Sequence, residues 1–111
     1  MAYDEGLAAR VREQVQEHGP ADEKRMFGGL AFLLGGHLAV CASHDGGLLV
    51  RTDGSDADEL LHDDHVEPME MGGRASRTWL RVDAAGLATD EQLAVWVHRG
   101  VATARSFPTK G

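Results

Sequence analysis

Two histidines flank two carboxylates in the run His62-Asp63-Asp64-His65. Imidazoles three residues apart on a helical turn could share a metal ion with a carboxylate such as Asp63. The run lacks the spacing of an established zinc motif, and a solvated acidic helix end with incidental histidines is the commoner origin of such a pattern. The only cysteine, Cys41, offers a thiol with His37 and His44 close by in sequence. Nucleophilic catalysis needs a base within hydrogen-bond reach and a third group to orient it. On an extended strand His37 and Cys41 share a face but stand about 13 Å apart, so an inert, half-buried thiol is the expected state. Fourteen glycines invite a phosphate-loop reading, yet neither G-x-x-x-x-G-K-[ST] nor a helix-opening G-x-G-x-x-G occurs. The glycines are therefore assigned to turns. No catalytic residue and no cofactor is expected.

Basic residues offer a different chemistry. Arg74, Arg77 and Arg81, joined by Lys24, Arg25 and Arg51 from other strands, could form a cationic face, although pairing within the fold or plain solvation is the simpler fate. Such a face suits an acidic protein surface better than duplex DNA, because nearby acids would repel phosphates. Trp79 and Trp96 read as core packing between a sheet and the last helix.

These side chains need elements to hold them. Leu7, Ala8, Val11 and Val15 form a stripe at helical spacing, which predicts a helix over roughly residues 4–18 with Asp4 as its cap. Gly19 and Pro20 stop it. From Lys24 to Thr52, short apolar runs separated by paired glycines predict an antiparallel meander. Gly35-Gly36 suits a two-residue hairpin turn, since both central positions need positive φ. Asp45-Gly46-Gly47 makes a slightly longer connection. Leu38, Val40 and Ala42 are expected on one face, as are Leu48, Val50 and Thr52. Gly28-Gly29 lies inside an apolar stretch, where a bulge or sharp bend fits better than a full turn.

Residues 53–70 hold eight acids and no Lys or Arg. Because the whole chain carries −7, the remainder sums to +1. Ser55 can cap a short helix through Leu61, and Pro68 is expected to end regular structure near Glu67. After a Gly72-Gly73 turn, alternation over 78–82 puts Trp79 and Arg81 on one face and Thr78, Leu80 and Val82 on the other. Thr89-Asp90-Glu91-Gln92 is a capping-box pattern opening a helix to about Arg105, with Leu93, Trp96, Val97, Val101 and Ala104 on its apolar stripe.

Composition bounds what these elements can build. At 111 residues, with 42% hydrophobic and 26% charged residues, the chain fits one globular domain, residues 1–107, followed by a tail at 108–111. The acidic balance opposes nonspecific nucleic-acid binding. No apolar run approaches a membrane span and the first twenty residues are not signal-like, so a cytoplasmic protein is expected.

Several of these segments together resemble a known family. Met1-Ala2-Tyr3-Asp4 leads an amphipathic helix, and Lys24-Arg25-Met26-Phe27-Gly28-Gly29-Leu30-Ala31-Phe32 follows. Gly72-Gly73-Arg74 precedes the strand with Trp79, and Ala88-Thr89-Asp90-Glu91 opens the helix with Trp96. In this arrangement the chain is similar to the N-terminal domain of the TfoX/Sxy family over nearly its whole length. Met26, Phe27, Gly28 and Gly29 belong to the most specific part. The resemblance implies an α+β domain without a catalytic residue set. It also implies a link to natural competence in bacteria, through co-activation alongside a cAMP-receptor-type transcription factor. Full-length members carry a further C-terminal helical domain, so a stand-alone N-terminal domain is expected here.

The combined expectation is a two-layer α+β fold: a meander of about five strands, with a helix at each end packed on one face. The expected function is a non-enzymatic regulatory module acting through a protein partner, such as a transcription factor, without touching DNA or membrane. A small-molecule- or metal-binding protein or enzyme using the acidic segment around His62 and His65 is the alternative, and a homodimer through a sheet edge or apolar face is a further expectation.

Overall fold

A computed structural model describes residues 5–26, 28–43, 46–52, 57–71 and 73–106. Helix α1, Glu5–Gln16, buries Leu7, Ala8, Val11 and Val15, the stripe expected from their spacing. It stops where Gly19 adopts φ 128° ahead of Pro20. The expected cap, Asp4, lies outside the described residues.

Strands β1 (Asp22–Met26) and β2 (Gly29–Leu34) form a hairpin with Met26 opposite Gly29. The chain therefore reverses in a full turn that contains Gly28, at φ 72°, while Gly29 already opens β2, instead of the bulge or sharp bend expected there. Each glycine has its own task. Gly28 supplies the left-handed backbone, while a Cβ on Gly29 would lie 2.2 Å from the Ala42 carbonyl oxygen. Gly35 and Gly36, at φ 61° and 83°, make the expected hairpin turn into β3, His37–Ala42.

A bulge does occur, but in the β2–β3 pair. Phe32 faces Val40 whereas Leu33 faces Leu38, which leaves Ala39 as the extra residue. The alternation shifts there. Leu38 consequently joins a cluster on the opposite side of the sheet from Val40 and Ala42, contrary to the shared face expected from strict period two. Helix α3 exploits the bulge: a Cβ on Gly100 would lie 2.4 Å from the Ala39 carbonyl oxygen.

Strand β4 (Leu48–Arg51) follows a connection in which the Ser43 N–H donates to the Gly47 carbonyl. His44 and Asp45 lie outside the described residues, as does the expected cap Ser55. After the short helix α2 (Ala57–Leu60) come β5 (Val66–Met71) and β6 (Arg74–Val82), joined at Gly73 with φ 83°. Pro68 thus sits within a strand and does not end one. The sheet order β1-β2-β3-β4-β6-β5 explains why: β5 is an edge strand, where a missing N–H costs no ladder bond, and the β5–β6 register shifts immediately after Pro68. The sheet has six antiparallel strands, one more than expected, and the reversed final pair makes it other than a simple meander.

Helix α3, Asp90–Arg105, opens with the expected capping box. Gln92 N–H donates to Thr89 Oγ1 at 3.1 Å and Thr89 N–H donates to Gln92 Oε1 at 3.0 Å. Both long helices pack on one face of the sheet. Leu93, Trp96, Val97 and Val101 meet Leu7, Val11 and Val15 above Phe32, Val40, Val50 and Leu80. Residues 108–111 lie outside the described residues.

Candidate functional site

Among the described residues, no helix covers the sheet's other face. It holds a smaller apolar cluster of Ala31, Leu38, Cys41, Leu49 and Trp79, with Met26, Leu33 and Met69 packed against it. Trp79 therefore lies on the opposite side of the sheet from Trp96, correcting the expectation that both pack under the last helix. The physical reason is the alternation itself: Leu80 and Val82 take the helix side, which turns Trp79 away.

Strand register builds a cationic row across this face. Lys24 pairs with Ala31, Ala31 with Cys41, Cys41 with Leu49, and Leu49 with Arg81. Four strand spacings place the Lys24 and Arg81 backbones about 19 Å apart, with the buried side chains of Ala31, Cys41 and Leu49 between them. Arg51 pairs with Trp79, and its guanidinium lies 5.4 Å from the ring centroid. At the β5 edge the row ends on Glu67, whose Oε1 is 3.7 Å from Arg81 Nε. That pair is largely solvated and contributes little to stability.

Of the six basic residues that could form a cationic face, the fold places Lys24, Arg51 and Arg81 on the helix-free side of the sheet. Arg25 pairs with Leu30 and so belongs to the helix-bearing face. Arg74 is exposed beside the β5–β6 turn, opposite Met71. Arg77 is part of β6, but its side chain lies outside the described residues.

The histidine–aspartate run forms a turn after α2 and not a helix, so the helical spacing invoked for a shared metal does not arise. His62 is exposed. Asp63 uses its carboxylate locally, accepting from the His65 backbone N–H at 2.9 Å. His65 Nδ1 lies 3.0 Å from an Asp83 carboxylate oxygen. The Gly86 N–H donates to that carboxylate, and this bond, followed by His65, holds the Asp83 carboxyl below the usual range. Among the described residues no three His, Cys, Asp or Glu side chains come together to hold a metal.

Cys41 is fully buried, with Sγ 3.6 Å from the Met26 carbonyl oxygen. Burial pushes its thiol up to about 11, so it is protonated at neutral pH and poorly suited to nucleophilic attack. His37 pairs with Leu34 on the helix-bearing side, away from it. There it shares a shallow pocket with His18 and Arg105, whose guanidinium donates to the His18 carbonyl. The His18 and His98 rings are 5.5 Å apart. Sequence reasoning missed this grouping, because its members are separated by up to 87 residues and share no spacing.

No helix among the described residues is long and apolar enough to cross a membrane. No curated protein and no solved structure matches the chain. The family model for the TfoX N-terminal domain matches residues 13–104, which span the sheet and nearly all of α3. The Met26-to-Gly29 hairpin, the helix-free face and the capped last helix all fall within that match, and the chain belongs to the TfoX N-terminal domain family.

Proposed function

We propose that this domain is a non-enzymatic regulatory module, competence-related as its family membership suggests, which uses its helix-free sheet face to hold an acidic surface of a protein partner. The observation that carries this reading is the row from Lys24 to Arg81, flanked by Arg51 over Trp79, on a chain whose net charge is −7. On that face Lys24, Arg51 and Arg81 outnumber Asp22 and Glu67, so it presents complementary potential to an acidic protein although the chain as a whole is acidic. Its overall charge repels duplex DNA at long range. A transcription factor is the partner class in keeping with the family, and action through such a factor requires no DNA contact by the domain itself. The buried, protonated Cys41 and the locally engaged Asp63 and His65 support a role without bond-making chemistry.

Capture from the native cells tests this reading. The wild-type domain is expected to retain a specific protein that the Lys24→Glu/Arg81→Glu double variant loses and Arg74→Glu keeps. Tight binding of purified wild-type protein to duplex DNA at physiological salt would contradict it.

A further inference from the structure

Along the outer side of α3, Glu91, Val95, His98, Ala102 and Arg105 are spaced four, three, four and three residues apart, the interval of a coiled-coil seam. All five are exposed. Val95, at 57% exposure, is the one exposed large hydrophobic side chain among the described residues. A groove along this surface is lined by Ala94, Val95, His98, Arg99, Ala102, Thr103 and Ser106. The seam is capped by opposite charges, Glu91 at one end and Arg105 at the other. Fourteen residues of helix separate them, about 21 Å.

From this we infer that the protein self-associates as a two-fold symmetric dimer through antiparallel pairing of α3 with the α3 of a second copy. The charge pattern selects that occupant. An axis at His98 sets Glu91 against the second copy's Arg105 and, by symmetry, Arg105 against its Glu91. The same axis sets Ala94 and Val95 against Ala102, so small side chains allow close approach and Val95 loses its exposure. Parallel pairing would instead place like charges together at both ends. Antiparallel helices also align their macrodipoles favourably. Near the axis stand His98, the adjacent His18 ring and the half-buried Arg99, so the charged ends carry the specificity. Because α3 packs on the sheet with its inner side, this dimer leaves both helix-free faces outermost, and a partner with two acidic sites gains avidity.

Sedimentation equilibrium of the full chain tests it. The wild type is expected to form a reversible dimer, and Val95→Glu to weaken association by at least about tenfold with an unchanged circular dichroism spectrum and melting temperature. Glu91→Arg and Arg105→Glu should each weaken the dimer, and their combination should restore it. Arg105→Glu also removes the bond to the His18 carbonyl, so its melting temperature is measured alongside. His98→Cys provides an independent readout: beside the axis, with Cys41 buried, it should form an intermolecular disulfide under mild oxidation. A monomer at all concentrations, a dimer indifferent to Val95→Glu, or a His98→Cys variant that does not cross-link would each overturn the inference.

Discussion

Adjacent glycines in the Met26-to-Gly29 hairpin do different work, and the difference is measurable. Gly28 is needed for its left-handed backbone, so Gly28→Ala should cost about 1 kcal/mol. Gly29 is needed because the Ala42 carbonyl occupies the space of a Cβ, and backbone must move to admit one. Gly29→Ala should therefore cost about 3 kcal/mol in urea denaturation, and an equal or smaller loss than for Gly28→Ala would contradict this account. Cys41 offers a second test. Its folded thiol ionises near 11 against an ordinary 9.0, because burial disfavours the thiolate. Below pH 9 both states are protonated and the full stabilisation is present. Between about pH 9 and 11 the unfolded chain ionises first, so stability falls through that window. The Cys41→Ala protein should show a shallower decline with pH, and parallel curves for the two proteins would show that the thiol is not shielded.

At the scale of elements, what could be read from sequence was whatever local physics decides. The α1 stripe, the Gly35-Gly36 turn and the Thr89–Gln92 capping box each depend on residues within one or two turns of each other. Pro68 is not legible as a strand residue because its tolerance depends on β5 being an edge, a property of strand order that no local window contains. The bulge at Ala39 was equally hidden, since its compensation is Gly100 of α3, 61 residues away. Trp96 tests the helix layer. Its ring is buried beneath α3, so Trp96→Ala is expected to destabilise by about 3 to 5 kcal/mol. An unchanged melting temperature would show that α3 packs differently.

For the whole molecule, the legible part of the candidate site was its chemistry and the illegible part its assembly. Sequence offered a cationic face only beside the simpler fates of pairing and solvation, while Arg81 opposite Leu80 and Val82 followed from alternation. Which cations share a surface depended on register across five strands. That register brought Lys24 into line with Arg81 and sent Arg25 to the other face. Both sheet edges also resist strand addition. β1 presents the charged run Asp22 to Arg25, and β5 carries Pro68 with its register shift, which directs self-association away from the edges. The proposed function rests on the helix-free face as a protein-binding surface. Its most direct test is the affinity of the captured partner for the wild-type domain and for the Lys24→Glu/Arg81→Glu variant across a salt series. A salt-sensitive affinity that falls at least about tenfold in the variant, with unchanged thermal stability, is the predicted result. Equal affinities at every salt concentration would contradict it.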